Sequence, residues 1–137
     1  MRKHKHTCNI YTDAGYSMKS RIGHLAYKNG GGKVHIKRAE IPNIPHLKQF
    51  NNLLEFQAIL VALKTSKAKR VLIHTDSKIA FYWFKRNYND LLTFSEYHHK
   101  IKDEIEKEKA KFMSCEVIWV PRGKNKAGIA LEAYLGA

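Results

Sequence analysis

The chain has 137 residues, 44% of them hydrophobic, which is enough to build the core of one compact domain without disulfide or zinc crosslinks. Its 25 lysines and arginines exceed its 12 acidic residues by 13, and this excess predicts a polyanionic partner such as nucleic acid, because neutralised phosphates release counterions. We expect neither a membrane-spanning helix nor a secretory signal, because no segment approaches roughly 20 apolar residues and the basic start lacks an apolar stretch.

The positions of the cysteines and histidines bear on whether the protein has a disulfide or a histidine-based metal site. Cys8 and Cys115 each lie in an apolar, strand-like run, which favours buried reduced thiols over a disulfide and predicts a cytoplasmic location. The eight histidines have no cysteine or acidic partners at zinc-finger spacing, which argues against a histidine-based metal site. We expect a single domain over residues 1–137 that is monomeric, and no protein partner is evident.

The first predicted elements form an antiparallel meander. Residues 7–13 and 21–27 predict two strands. The turn-forming sequence Asn-Gly-Gly-Gly at residues 29–32 connects the second of them to a third strand that begins near Lys33. We therefore expect three antiparallel strands at the start of the fold.

A buried helix is predicted over residues 51–64, after a loop that contains Pro42 and Pro45. This segment is apolar nearly all round, and such a helix belongs inside a core, between a sheet and other elements. Its apolar residues are Leu53, Leu54, Phe56, Ala58, Ile59, Leu60, Val61, Ala62 and Leu63.

The next segments predict a strand followed by two helices. Residues 70–75 are a short β-branched run typical of a buried strand, and a helix over 78–88 follows, with Ser77 as its cap. A helix over 94–112 has an apolar stripe on one face and carries five acids and five lysines. We predict that its charged side is a solvated outer face and that the basic binding surface lies elsewhere.

A fifth strand over residues 116–120 and a last helix over 125–135 complete the chain. The element order is βββαβααβα. Connections that contain a helix between two strands imply parallel pairing. The sequence therefore predicts an α/β fold with a mixed five-stranded sheet, three antiparallel strands and then two parallel ones, with helices on both faces.

Three acidic residues occupy positions that suit one metal site. Asp13 ends the first predicted strand, Asp76 follows the fourth, and Glu55 lies early in the apolar helix. Ligands of open α/β sheets gather at the carboxyl ends of strands. Carboxylates that converge there repel one another unless cations lie between them, and oxygen-only ligands suit Mg²⁺ or Mn²⁺. This pattern predicts metal-dependent phosphodiester chemistry, although each aspartate alone also suits a turn or a helix cap.

Over essentially its whole length the sequence resembles type 1 ribonuclease H. The order of elements agrees, and the family's three motifs resemble residues 11–15 (YTDAG), 51–59 (NNLLEFQAI) and 75–77 (TDS). Residues 119–126 (WVPRGKNK) resemble the loop of the short bacterial and archaeal members. The resemblance implies a ribonuclease H-like fold and an endoribonuclease that hydrolyses the RNA strand of RNA/DNA hybrids with two divalent metal ions.

The same resemblance assigns roles to individual residues. Asp13 would bridge both metal ions, and Glu55 and Asp76 would hold one each; Glu55 would also lie near the ribose 2′-hydroxyl group that distinguishes RNA from DNA. The paired asparagines match positions that reach bases in the minor groove, and the basic residues after the last strand suit phosphate contacts. The predicted nucleic-acid-binding residues are Gly15, Asn51, Asn52, Ser77, Arg122 and Lys124.

The chain departs from the family pattern at a fourth acid. Relatives carry Asn-x-x-Ala-Asp on the last helix, whereas the alignment from Asn125 places Gly128 and Ile129 at the last two positions. Gly123 stands where the short members carry glutamate, and Glu132, one helical turn beyond Ile129, is a candidate replacement.

Because the fourth acid is missing, the sequence allows two alternatives for the activity of the protein. It predicts weakened cleavage that manganese rescues better than magnesium. The alternative is a non-catalytic module that binds RNA/DNA hybrids or duplexes. A DNA nuclease or integrase-like enzyme of the same fold is disfavoured by the paired asparagines and the short length.

Overall fold

The protein consists of a mixed sheet with helices packed against it. Its structure is a computed structural model that describes residues 7–17, 20–39, 50–86 and 96–136. The strands are β1 (Thr7–Ser17), β2 (Ile22–Asn29), β3 (Val34–Arg38), β4 (Arg70–Thr75) and β5 (Ser114–Trp119). The helices are α1 (Phe50–Thr65), α2 (Lys78–Lys85), α3 (Glu96–Lys109) and α4 (Lys126–Gly136), with a 3-10 turn at Arg122–Lys124 before α4. The predicted element order is confirmed, and none of these helices has the length and apolarity to cross a membrane.

The strands lie in the order β3-β2-β1-β4-β5. β2 pairs antiparallel with both β1 and β3, whereas β4 pairs parallel with both β1 and β5. Parallel neighbours need a crossover connection, and the helices that follow β3 and β4 in the chain supply it. The prediction of a mixed sheet with three antiparallel strands and two parallel ones is therefore confirmed.

β1 is longer than predicted. It does not end at Asp13 but continues to Ser17, because it goes on pairing with β2. Its parallel ladder with β4 stops earlier, at the pair Thr12–Thr75. The prediction that Asp13 ends the strand is wrong, yet Asp13 and Asp76 are each the first residue beyond the end of this ladder.

Other element boundaries differ by a few residues. β5 begins at Ser114 because the parallel ladder with β4 starts there, at the pair Arg70–Ser114. α3 ends at Lys109, and a turn over residues 110–113 leads into β5. The predicted end of α2 at residue 88, the predicted start of α3 at residue 94 and the proline-containing loop lie outside the described residues.

Helices cover both faces of the sheet. Neighbouring residues of a strand point to opposite faces. On one face, Tyr16 of β1 packs edge to face against Phe50 of α1, with ring centroids 5.5 Å apart. On the other face, Gly15 lies under α4, where an added Cβ would come within 3.3 Å of Leu135 and 3.7 Å of Leu131. The expected placement of helices on both faces is confirmed.

α1 is the centre of the core. Every residue from Leu53 to Leu63 is buried, because one side of the helix contacts β1 and β2 while the other contacts α2 and α3. Phe56 packs edge to face against Trp83 of α2, with ring centroids 5.5 Å apart. This double coverage explains why the helix is apolar nearly all round.

A buried lysine joins α3 to α2. Lys102 is only 1% exposed, although the other charged side chains of α3 are exposed or partly exposed as predicted. Its ammonium group donates to the backbone carbonyls of Trp83 (2.8 Å) and Phe84 (3.0 Å) and pairs with Glu106 (3.0 Å). The two carbonyls belong to the last turn of α2, which has no helical donors left for them. Lys102 therefore supplies the hydrogen-bond donor that the C-terminal carbonyls of α2 lack.

The two cysteines are free, half-buried thiols in the structure. Burial raises the pKa of Cys115 to about 11 and also raises the pKa of Cys8. Both thiols are therefore protonated at neutral pH, and a thiol is a poor nucleophile in that form. The prediction that both thiols are buried is met only in part, because neither side chain is fully buried.

His98 makes the stability of the fold depend on pH. Its side chain is 2% exposed and packs edge to face on Trp83, and burial, followed by the charge of His99, lowers the pKa of His98 from 6.5 to about 4. Below pH 6.5 the unfolded chain therefore binds a proton that folded His98 does not, so the contribution of His98 to stability falls as the pH falls. Between pH 7 and pH 5 this contribution should fall by about 2 kcal/mol, while the raised pKa values of Asp13 and Glu55 change stability in the opposite direction. Urea unfolding of the protein and of His98→Phe at both pH values isolates the contribution of His98, and the same pH dependence in both would contradict this assignment.

Candidate metal centre

The three acids singled out in the sequence lie together. Ligand oxygens of Asp13, Glu55 and Asp76 are all within 4.8 Å of one another, and no other group of three such ligand residues occurs in the part of the chain that the structure describes. Asp13 and Glu55 are 5% and 9% exposed, and Asp76 is partly buried. Residues that are distant in the sequence thus form one acid group, as the strand pattern predicted.

The end of the parallel ladder positions this group. Asp13 and Asp76 leave neighbouring strands immediately after the last paired residues, and Glu55 reaches them from the second turn of α1. The backbone around Asp76 is fixed on both sides. Its carbonyl accepts a hydrogen bond from the indole N–H of Trp119 (3.1 Å), and the next residue, Ser77, caps α2 by accepting a bond from the backbone N–H of Ala80 (3.1 Å).

Burial and mutual repulsion raise pKa values in the acid group. Burial, and then the charge of Asp76, raises the pKa of Asp13 to about 6. Burial and the charges of both aspartates raise the pKa of Glu55 well above its ordinary value, and the charge of Arg122 opposes both shifts. A hydrogen bond between Glu55 and Asp13 lowers the pKa of Asp13 and raises that of Glu55. The raised pKa of Glu55 therefore favours, without a cation, a protonated Glu55 that donates a hydrogen bond to Asp13.

Unpaired oxygens show that the acid group fits a divalent cation. Asp13 Oδ1 and Glu55 Oε1 are buried and have no hydrogen-bond partner. Buried carboxylate oxygens without donors are costly, and a cation would supply their missing partner. Gly128 leaves room beside them, because a Cβ there would lie 3.1 Å from Asp13 Oδ2 and 3.5 Å from Asp76 Oδ2. A set of oxygen ligands alone suits Mg²⁺ or Mn²⁺.

Asn125 is a site residue whose role sequence reasoning missed. It is fully buried, and its amide group donates to the backbone carbonyl of Thr12 (2.8 Å) and to Asp76 Oδ2 (3.0 Å). Its own oxygen accepts from the backbone N–H of Ala127 (3.1 Å). Asparagine just before a helix is a known cap signal. The contact with Asp76 has no such local signal, since the two residues are 49 positions apart.

The predicted nucleic-acid-binding residues lie at three places around the acid group. Asn51 is exposed and Asn52 half-buried in the first turn of α1, one turn before Glu55. Arg122 and Lys124 are exposed on the 3-10 turn before α4. These four side chains thus belong to elements that also carry or adjoin the acid group.

Two predicted binding residues have structural tasks as well. The hydroxyl oxygen of Ser77 caps α2. Gly15 allows close packing of α4 on β1 and does not adjoin the acid oxygens in the way that Gly128 does. Neither observation requires a nucleic acid.

Among the residues that the structure describes, no fourth acid joins the group. Glu132 is exposed on α4 and is not among the acids whose ligand atoms lie within 4.8 Å of one another. Ile129, at the position where relatives carry aspartate, is 53% exposed. Gly123, at the position where short members carry glutamate, has open space where a Cβ would be.

The fold and the acid group together define a ribonuclease H-like protein. The family model of RNase H matches residues 5–128, and the chain belongs to that family. Membership implies a nuclease that acts on a nucleic acid. No curated protein sequence matches the chain.

Many solved structures share this fold, and two of them are ribonuclease H structures. RNase H1 from the halophilic archaeon Halobacterium salinarum is 18% identical, with a TM-score of 0.69, and the match covers 96% of this chain and 99% of the other. The N-terminal RNase H domain of a Mycobacterium tuberculosis protein, solved as a fusion with maltose binding protein, is 16% identical, with a TM-score of 0.64 and the same coverage. At such low identity the likeness establishes the fold alone.

Proposed function

We propose that the protein is a metal-dependent endoribonuclease that hydrolyses the RNA strand of RNA/DNA hybrids, with Mg²⁺ or Mn²⁺ held by Asp13, Glu55 and Asp76. The observation that carries the proposal is the pair of buried, unpaired oxygens on Asp13 and Glu55 inside the acid group. A structural role for these acids leaves those oxygens without a partner. Metal ligation gives them one.

The metal ions and the residues around them would have different roles in the reaction. When bound, the divalent ions would supply the activated water and stabilise the leaving 3′ oxygen. Glu55 must lose its proton before it can act as a ligand, so the metal and the proton compete for this side chain. Asn125 orients the carboxylate of Asp76, and Arg122 brings positive charge close to the acid group.

The basic surface supports a polyanionic substrate. Arg122 and Lys124 are exposed beside the acid group and suit the phosphates of a nucleic-acid backbone. The amide of exposed Asn51 suits hydrogen bonds to base edges in a minor groove. Cleavage restricted to RNA would come from the 2′-hydroxyl group near Glu55, as the family resemblance implies.

A cleavage assay with end-labelled substrates tests the proposal. With either Mg²⁺ or Mn²⁺ we expect cuts in the RNA strand of an RNA/DNA hybrid and none in its DNA strand or in double-stranded DNA. Manganese should give the faster reaction, because the described residues offer the ions three acids and the family pattern has four. Intact RNA in the presence of manganese would refute the assignment. Binding of the hybrid without metal and without cleavage would instead support the non-catalytic alternative, which Ile129 at the family's acid position favours.

Restoring the fourth acid should raise activity. The variant Ile129→Asp adds a carboxylate one residue from Gly128, which adjoins the acid oxygens. We expect hybrid cleavage in magnesium to rise by about tenfold, because an additional oxygen ligand strengthens metal binding. The neutral, nearly isosteric variant Ile129→Asn should show no gain. If Ile129→Asp is also without effect and Glu132→Ala abolishes cleavage, Glu132 has taken over the role of the fourth acid.

A further inference from the structure

The outward face of α2 is basic. The helix and its C-cap residue contain three cations and no acidic residue, and the exposed side chains recur at the spacing of one helical face. Trp119 of β5 adjoins this face, because Lys78 Nζ lies 5.1 Å from the centroid of its ring. We refer to these residues together as the α2 surface; they are Lys78, Ile79, Tyr82, Lys85, Arg86 and Trp119. Its charge suits a polyanion.

Two aromatic rings of the α2 surface are open to solvent. Tyr82 is 50% exposed and Trp119 is 41% exposed, whereas the aromatic residues that follow Tyr82, Trp83 and Phe84, are buried. Packing of the core therefore accounts for Trp83 and Phe84 but not for the position of Tyr82. Aromatic rings that present a face to solvent on a basic surface suit stacking with nucleic-acid bases.

A cation lies close to each of these rings. The guanidinium carbon of Arg86 is 5.6 Å from the ring centroid of Tyr82, and Lys78 has the corresponding position at Trp119. The indole N–H of Trp119 donates to the backbone carbonyl of Asp76 (3.1 Å), which fixes the orientation of that ring. A strand of nucleic acid alternates bases and phosphates, so each stacked base would have a cation beside it for the neighbouring phosphate.

The α2 surface begins beside the acid group. Ser77 follows Asp76 directly and caps α2, and Trp119 contacts the backbone of Asp76. Tyr82 lies about one helical turn farther, roughly 6 Å along the axis of α2 from Lys78. A strand that leaves the acid group can therefore continue along this helix.

We propose that the α2 surface binds single-stranded nucleic acid, with bases stacked on its two exposed rings and phosphates at its three cations. A single strand fits better than a duplex, because the bases of a duplex stack on one another and offer no face to a side chain. If the hybrid cleavage proposed above is correct, this surface holds an unpaired strand that continues from the hybrid. The binding itself depends on the α2 surface alone and requires no metal.

Fluorescence anisotropy with a labelled, single-stranded oligothymidylate of about eight nucleotides tests the site on the full chain. EDTA is present throughout at low salt, so that neither metal binding nor cleavage contributes to the signal. The oligothymidylate should bind, and an abasic deoxyribose-phosphate oligomer of the same charge should bind at least about tenfold more weakly, because it has no bases to stack. The absence of binding up to about 100 μM overturns the proposal, as does equal affinity for the abasic oligomer. Neither result bears on cleavage in manganese, so the two proposals fail separately.

Matched variants locate the binding. Tyr82→Ala should lower the affinity for the oligothymidylate at least about fivefold, whereas Tyr82→Phe keeps the ring and should bind within about twofold of the original protein. The control is Tyr134→Ala, which removes a 55% exposed ring from α4, outside the α2 surface, and should leave the affinity unchanged. Lys78→Gln should weaken binding several-fold more than Lys107→Gln, which removes an exposed charge from α3. Unchanged affinity in either Tyr82→Ala or Lys78→Gln overturns the proposal, so one folded variant of the two is sufficient.

Discussion

Asp13→Asn should lower hybrid cleavage by about 10³-fold or more while the protein stays folded. A carboxylate oxygen of Asp13 lies within 4.8 Å of ligand oxygens of both other acids, and the side chain is 5% exposed. Asparagine has nearly the same shape but lacks the negative charge that attracts two cations. The same change removes a repulsion inside the acid group. Without metal, the variant should therefore be more stable to unfolding by about 1 kcal/mol. Turnover in manganese and urea unfolding in EDTA measure the two effects.

An exposed acid provides the control for Asp13. Asp103 lies on the solvated side of α3 and outside the acid group, and Asp103→Asn should change neither turnover nor stability appreciably. Magnesium should raise the unfolding midpoint of the original protein and of Asp103→Asn, but much less that of Asp13→Asn, because only a folded site binds the ion. Cleavage by Asp13→Asn within tenfold of the original rate would contradict the proposed role.

Lys102→Met should destabilise the fold by about 2–3 kcal/mol, the largest loss expected from a single charged side chain outside the acid group. Methionine can fill much of the space, but the carbonyls of Trp83 and Phe84 lose their buried donor. Glu106 loses one of two partners at a smaller cost, because it is half exposed and still pairs with Lys109 at 3.4 Å. The free energy of unfolding in urea measures the change.

A lysine on the surface provides the control for Lys102, because its substitution removes the same charge without removing a buried side chain. Lys111 pairs with Glu108 at 3.1 Å, but its side chain is 68% exposed, and Lys111→Met should cost less than about 0.5 kcal/mol. Equal losses in the two variants would show that the bonds from Lys102 to the end of α2 contribute nothing beyond an ordinary surface pair.

Local sequence patterns were sufficient to predict most of the fold. The apolar run of α1 indicated burial on all sides, and the β-branched run of β4 indicated a buried strand, because periodicity and residue type reflect the environment of each segment directly. The end of β1 was predicted too early, since its continuation to Ser17 depends on pairing with β2 and not on its own residues. Pairing between strands is a non-local property that composition does not report.

The acid group was also predictable, and its surroundings were not. Asp13 and Asp76 follow strand-like runs, and Glu55 interrupts an apolar helix, so each acid stands out from its own neighbours. Asn125 does not, because an asparagine before a helix is an ordinary residue. Its importance lies in the atoms that it contacts, Thr12 O and Asp76 Oδ2, and these contacts appear only in the packed chain.

The hydrogen bond between Asn125 and Thr12 joins residues that are 113 positions apart. A chain that emerges from the ribosome already carries all three acids when β4 has been made, but it still lacks the amide that links β1 to Asp76 and to the start of α4. Catalytic competence should therefore appear only after the final helix has been synthesised and has docked.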